Sequence, residues 1–490
     1  MTDTPAMTPL GTAFDRLAGE SPDEPAITFL DRTVTREELA RRSNRVARRL
    51  QQLGAGEGSM VTIGLSNGPE FYAATLAAWK LGAVPQPVSY RLPPGELAAL
   101  IEVADPAVVV GLDPRDGRAW FRGDEDLLDV EDSALVPALS PTWKAMTSGG
   151  STGRPKLIVA NTPGWHELMT AAAPMLRIGE RETFLCTGPL YHNGPFLFSM
   201  TALMLGGHIV VMDRFDAARS LELVERYGVT YMYLVPTMMS RILRLPDEHR
   251  LTRDVSSLRT AYHLAAPCPP HVKEAWIDWL GPEVIAELYA GTEGQAVTVI
   301  TGTEWLEHRG SVGRVMMGEM KILHQDGAEA PAGEVGEIWM RPPGERVTYS
   351  YIGATARSRD GWESLGDMGW FDADGYLYLT DRQTDMILVG GANVYPAEVE
   401  AALEEHPSVL SACVIGLPED DYGNVVHAIV ETREDVSDDE LRSHLETRLV
   451  AYKRPRSFER SAQPLRDDAG KVRRSALREV RLVQASERIT

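Results

Sequence analysis

Thr147-Ser-Gly-Gly-Ser-Thr-Gly-Arg-Pro-Lys156 is the segment best equipped for chemistry. It concentrates hydroxyls, glycines and two cations in one short run. Glycine lets the backbone approach a ligand closely. Freed N–H groups and hydroxyls can donate to phosphate oxygens, and Lys156 adds a point charge. The spacing differs from GxxxxGK[ST], in which the loop opens a helix. Here residues 143–146 read as a strand entering the loop and 157–160 as one leaving it. A polyphosphate cradle between two strands is the expectation; a flexible glycine–serine linker is the plain alternative.

Other candidate groups are spread along the chain. Only seven lysines occur, Lys80, Lys144, Lys156, Lys273, Lys321, Lys453 and Lys471, while arginine supplies most positive charge. Lys156 and Lys471 lie in glycine-bearing loops, where a compact ammonium fits better than a planar guanidinium. A basic run, Lys453, Arg454, Arg456, Arg460, Arg466, Lys471, Arg473, Arg474 and Arg478, closes the sequence. It reads either as a solvated face or as a landing site for a phosphorylated cosubstrate.

The elements that must position these groups alternate. Thr35-Arg-Glu-Glu38 is a capping box opening a helix stopped by Gly54. Strands are expected near 61–65, 107–112, 208–212, 231–235, 258–264 and 284–289, with helices at 69–81, 221–227, 238–245 and 270–280. That order implies α/β layers with largely parallel sheets. From 311 to 341 the pattern turns to short strands and glycine turns, a small β-rich subdomain. Beyond 381 come strands at 386–389, 411–417 and 425–432, a helix at 396–406, and a capping box at Ser437 opening a helix to Val450. The expected division is 1–381 and a small mobile α+β domain at 382–490, with fraying from Leu482 onward.

With 490 residues the chain exceeds one core. A formal net charge of −21 argues against nucleic acid and anionic membranes as general partners. No apolar run reaches the length of a membrane span. Cys186, Cys268 and Cys413 have neither metal nor disulfide spacing. With an N-terminus that lacks a signal pattern, this gives a cytoplasmic expectation.

Five motifs in order resemble the adenylate-forming superfamily, which includes acyl-CoA synthetases, peptide-synthetase adenylation domains and firefly luciferase. They are the phosphate loop; Pro189-Leu-Tyr-His-Asn-Gly194; Tyr289-Ala-Gly-Thr-Glu293; Gly366-Asp367 with Asp381-Arg382; and Gly390-Gly-Ala-Asn-Val-Tyr-Pro396 with Lys453 and Gly470-Lys471. The resemblance implies ATP and Mg2+ as cofactors and CoA as thiol cosubstrate. It implies that Lys471, His192 and Glu293 serve catalysis, with Glu293 also the metal ligand. The nucleotide would meet Thr147, Ser148, Gly149, Gly150, Ser151, Thr152, Lys156, Tyr289, Ala290, Gly291, Thr292, Asp367 and Arg382. The acyl group would meet Phe196, Val235, Leu264, Ala265, Ala266 and Gly291, and the CoA tunnel would be Gly390, Gly391, Ala392 and Lys453. The chain would pivot at Thr384, where the family usually has Asp or Lys. Each residue also has a structural reading: His192 as a buried histidine, Asp367 as a turn residue, Lys471 as a loop lysine.

Departures are Ala290 in place of a usual Gly, Leu365 in place of a Thr, and Gly150 in place of a Thr. They leave open a ligase restricted to the thioester half-reaction, fed with preformed acyl-adenylate. The segment after His192 lacks the carboxylate with which amino-acid-activating relatives hold an ammonium. Small apolar walls point to a bulky carboxylic acid, and the loop resembles that of bile-acid-type CoA ligases. The expected partners are the acid, ATP and CoA, in a monomer or homodimer. An acyl carrier protein is the alternative thiol, and a nucleotide-binding sensor is the non-enzyme alternative.

Overall fold

The computed structural model describes residues 7–125, 127–149, 155–344, 346–382, 385–389, 392–419, 423–467 and 470–487. Of the expected site, Gly150, Ser151, Thr152, Thr384, Gly390 and Gly391 lie outside the described residues.

The architecture is α/β, with a large N-terminal part of mixed sheets and helices and a small C-terminal part. Two sheets carry the parallel order that the alternating pattern predicts. In the smaller, Met60–Ile63 lies between Val84–Pro87 and Val108–Val110, all parallel. In the larger, Pro25–Phe29, His208–Val211, Thr183–Cys186, Tyr231–Leu234, Thr260–His263 and Ile285–Ala290 run parallel in that spatial order. It then turns antiparallel through Val297–Thr301 and Ser311–Met317 into the β-rich region that ends at Leu377–Arg382. Strands such as Tyr231–Leu234 are buried on both faces, as parallel strands under helices must be. The helix Arg36–Gln52 forms on the expected box, Thr35 and Glu38 bonding reciprocally.

The phosphate-loop expectation holds in its framing. Ala145–Gly149 and Pro155–Ala160 form an antiparallel hairpin, so the loop joins strands and opens no helix. A third strand, Tyr349–Ile352, pairs with Pro155–Ala160 and brings Tyr351 beside the loop.

From Ile387 onward a separate apolar core forms around Val394, Val399, Val414, Val430 and Leu441. Val409–Glu419 pairs antiparallel with Gly423–Thr432, which pairs parallel with Ser457–Arg460. Two expectations need correction. The helix opened by Ser437 is Asp438–Glu446, shorter than expected, and only the Ser437 half of its box forms. The guanidinium of Arg454 takes the carbonyls of Glu446 and Leu449 and turns the chain away. Nor does the chain leave regular structure at Leu482: Arg474–Glu487 is one helix, and 488–490 lie outside the described residues. Leu477 packs on Cys413 and Ile415, and Arg481 grips both oxygens of Glu459.

No helix among the described residues is long and apolar enough to cross a membrane.

Candidate active site

The strands of the larger sheet end in loops that line one cavity of about 2530 Å3. Leu234 passes to Val235, His263 to Leu264, Ala265 and Ala266, and Ala290 to Gly291, Thr292 and Glu293, all on its wall. Ligands of open parallel sheets sit at these carboxyl ends, where helix amino ends and strand-end carbonyls converge.

Thr147, Lys156, Tyr289, Ala290, Gly291, Thr292, Glu293 and Asp367 share this cavity. Glu293 is only 7% exposed. Its Oε1 accepts the Tyr351 hydroxyl at 2.5 Å and faces the Lys156 ammonium at 3.9 Å. Lys156 in turn lies 4.1 Å over the Tyr351 ring. Asp367 accepts the Tyr289 hydroxyl at 2.8 Å. It is a cross-strand partner of Arg382, so the two positions sit side by side. Ser148 and Gly149 lie in the hairpin strand. Gly291 approaches its neighbours closely: a Cβ there would come within 2.3 Å of Leu365 and 2.9 Å of Glu293.

The resemblance-based magnesium site passes a chemical test. Glu293 offers one buried carboxylate, and the hydroxyl of Thr147 lies in the same cavity. Mg2+ usually takes one or two carboxylates and completes its shell with water and substrate phosphates. That donor set fits a nucleotide-borne ion and would be too poor for an all-protein cage.

Lys471 reaches the cavity from the C-terminal part. Its loop docks through Gly470, whose φ of +74° favours glycine and whose Cβ would lie 2.7 Å from Thr237 Oγ1. The Lys471 N–H donates to Asp467 Oδ1 at 2.9 Å. Its charge is felt at His192, which caps no N–H of the helix Asn193–Met204 with its side chain. Burial first, and Lys471 second, push the His192 imidazole down to about 4. His192 is therefore neutral at pH 7 and can accept or donate one hydrogen bond without competing for charge.

The acyl wall differs in one residue. Val235, Leu264, Ala265, Ala266 and Gly291 line the cavity. Phe196 does not: it is fully buried behind the wall, stacked on Trp143 and edge-on to Phe71 and Trp79. Large aromatic groups gain most by burial in such a cluster. Leu197 and Phe198 stand in the wall instead, with Met175 and Met238.

The thiol-tunnel residues are elsewhere. Ala392 belongs to the hairpin Ile387–Val389 and Ala392–Val394, which contacts Ala451–Lys453. Lys453 is held by both oxygens of Glu398, at 2.6 and 2.7 Å. Neither Ala392 nor Lys453 lines the cavity that Lys471 enters. The basic C-terminal run is also largely paired: Arg460 with Asp438, Arg466 with Glu404, Arg474 with Asp385 and Glu400. Arg466 and Arg474 are mostly buried in these pairs and, with Lys471, Arg473 and Arg478, line the cavity, so the run is not one solvated face.

Sequence reasoning passed over Tyr351, held Asn193 only as part of the Pro189–Gly194 motif and counted Lys144 only among the lysines. Tyr351 lay in a stretch without motif. Lys144 gave one signal, a lysine in an otherwise apolar strand.

A profile of the AMP-binding enzyme family matches residues 14–351, and one of the AMP-binding enzyme C-terminal domain matches 398–466. The chain is 31% identical to a sulfoacetate–CoA ligase of Cupriavidus necator, over 94% of this chain and 95% of that one. It is 32% identical to a feruloyl-CoA synthase of an Amycolatopsis species, over 96% and 98%. Among solved structures, an o-succinylbenzoate CoA synthetase of Bacillus subtilis in complex with its acyl-adenylate intermediate superposes with a TM-score of 0.83 at 27% identity, covering 96% of this chain and 98% of that one. Matches of this extent, laid over motifs in the same order, mean that the chain belongs to the AMP-binding enzyme family, the adenylate-forming superfamily, among its acid–CoA ligases.

Proposed function

We propose that this chain is an ATP-dependent ligase that activates a bulky, largely apolar carboxylic acid as its acyl-adenylate and passes the acyl group to CoA. The observation that carries the reading is the meeting of Lys471, His192, Glu293, Thr147 and Asp367 at one cavity, with Lys471 brought in by a separately packed C-terminal unit.

A carboxylate is a poor acyl donor because its leaving group would be oxide. Attack of its oxygen on the α-phosphorus of ATP expels pyrophosphate and leaves a mixed anhydride whose leaving group is AMP. The barrier is mainly the approach of two anions, so catalysis is alignment and charge neutralisation. Lys471 neutralises the attacking carboxylate and the α-phosphate. Thr147, Thr292 and Lys156 hold phosphate oxygens. Asp367 accepts from the ribose hydroxyls, with Arg382 adjacent. Glu293 would hold Mg2+, which supplies Lewis-acid neutralisation of phosphate charge when bound. A thiolate then attacks the acyl carbon and AMP departs.

The units divide at 381/382 in this reading, and rotation about Thr384 withdraws Lys471 and presents the segment from Gly390 to Tyr395 to the thiol. The presence of Lys471 on the cavity wall supports assigning this posture to the first step. Leu197, Met175, Met238 and Leu264 give a broad, adaptable apolar wall.

The test measures pyrophosphate release with ATP and a panel of acids, then thioester formation with CoA or a phosphopantetheinyl carrier protein. Bulky acids should react and short linear ones should not. Lys471→Ala should lose adenylation by about 100-fold or more while sparing transfer from supplied acyl-adenylate. Undiminished adenylation in that variant, or turnover confined to short linear acids, overturns the reading.

A further inference from the structure

Three lysines are buried among the described residues: Lys80, Lys144 and Lys273. Two have a carboxylate. Lys80 Nζ bonds Asp15 at 2.6 Å and Lys273 Nζ bonds Glu287 at 2.5 Å. Lys144, 5% exposed, has none within ion-pairing distance among the described residues. Its ammonium bonds the neutral side-chain oxygen of Asn193 and lies 4.3 Å from the centre of the Trp143 ring. A buried charge without a counter-charge costs several kcal/mol, and a neutral amide offsets only part of that.

The surroundings make the deficit larger. Asn193 opens the helix Asn193–Met204, whose amino end no side chain caps. Unused N–H groups there add partial positive charge. The anion Lys144 feels is Glu293, which is already engaged by Tyr351 and Lys156. Burial accordingly pushes the Lys144 ammonium down to about 7, against an opposing pull from Glu293. Lys144 and Asn193 both line the cavity, as do His192 and Lys471.

We propose that Lys144 and the amino end of the helix Asn193–Met204 form a fixed carboxylate subsite, which takes the acid's carboxylate before and after Lys471 arrives. The subsite rests on the ligase reading for its natural occupant. Its anion chemistry rests on the unmatched buried charge alone. Lys471 travels with the C-terminal unit in the ligase reading, whereas Lys144 directly precedes the hairpin strand Ala145–Gly149, its carbonyl held by the Ala160 N–H. Two ammonium groups from different units then face one carboxylate, the fixed one binding and the mobile one aligning it with ATP.

The test separates anion binding from ligase activity by using formate, the smallest carboxylate, without ATP or CoA. Thermal unfolding is followed in formate and in chloride at equal ionic strength. Wild type should melt about 2 °C higher in formate. Lys144→Met should melt at or above wild type in chloride, because a buried uncompensated charge has gone, and should lose the formate response. A merely structural lysine would give the opposite: a lower melting temperature and an unchanged response, which overturns the proposal. Absence of any formate response in wild type overturns it without a variant, should Lys144→Met not fold. Where turnover is measurable, Lys144→Met should raise KM for the acid about tenfold or more and leave KM for ATP within about twofold, with Lys144→Arg recovering part of the loss. A formate response in a chain that never releases pyrophosphate would sink the ligase reading and keep the subsite; ligase turnover without that response would do the reverse.

Discussion

Ala265 has the least comfortable backbone in the cavity wall. Its φ is +78°, a region where a Cβ crowds the following carbonyl. Strain of this kind costs about 1 kcal/mol or more and survives where the surroundings enforce it. Ala265→Gly should therefore raise stability by up to about 1 kcal/mol, net of the added freedom of the unfolded chain. It should also loosen the acyl wall, so the ratio of kcat/KM between a preferred acid and a smaller one falls. Denaturant unfolding beside a two-acid kinetic comparison checks both; a variant less stable than wild type contradicts the strain argument. At this scale the sequence was legible wherever a residue type is diagnostic. Glu293, Asp367, Thr147 and Lys471 follow from motif order and share one cavity. Phe196 did not, because apolar type says nothing about which side of a helix meets a cavity and which meets the core. Lys144 escaped because an isolated lysine in a strand looks ordinary until its missing counter-charge is seen.

The proposed first-step posture has one prominent contact, between the end of the helix Pro236–Leu243 and the strand Val409–Glu419. Arg244, just past that helix, donates to the carbonyls of Val409 and Leu410 at 2.8 Å each. Both bonds cross from the large unit to the small one, beside the place where Gly470 meets Thr237. In the proposed rotation they would break as Lys471 withdraws, so they would stabilise one posture selectively. Hydrogen bonds to a charged group contribute about 1.5–3 kcal/mol each. Arg244→Met should shift the equilibrium toward the thiol-accepting posture. Adenylation should slow by about tenfold, while transfer from supplied acyl-adenylate holds or rises. Equal slowing of both half-reactions would mean a general packing defect. The helices and strands that periodicity predicted form within a few residues of their expected places, and the box at Thr35 fixed one start to the residue. The helices Leu10–Glu20, Pro94–Ala104 and Asn193–Met204 and the strands Pro25–Phe29 and Thr183–Cys186 were missed. The terminal helix Arg474–Glu487 was missed too, since its apolar face is short and its register depends on Arg478 meeting Gly416 and Arg481 meeting Glu459. Those partners are remote in sequence, and periodicity alone cannot supply them.

At the scale of the whole molecule, charge is handled in two ways. The net charge is −21, and within the basic C-terminal run Lys453, Arg460, Arg466 and Arg474 are each paired with carboxylates. Histidine is handled by exclusion. His192 and His208 are each pushed down to about 4, chiefly by burial, and burial lowers His263 and His271 as well. His208 stands in the central parallel sheet, its Nε2 2.7 Å from Thr28 Oγ1. For such a group the unfolded chain binds a proton near pH 6.5 that the fold refuses until about pH 4. Stability is then complete above the unfolded value and declines as pH falls toward the folded one. Between pH 7 and pH 5 His208 alone should withdraw up to about 2 kcal/mol. Burial raises Glu287 and Glu404, which take up protons in the fold and oppose this trend, but the lowered histidines outnumber them. The expected outcome is a melting temperature that falls steadily from pH 7 to pH 5. In His208→Gln, which keeps a hydrogen-bonding partner for Thr28 and cannot titrate, the fall should be shallower by about that amount. Parallel slopes in the two proteins would mean that His208 is protonated in the fold, and that the sheet tolerates a charge at its centre.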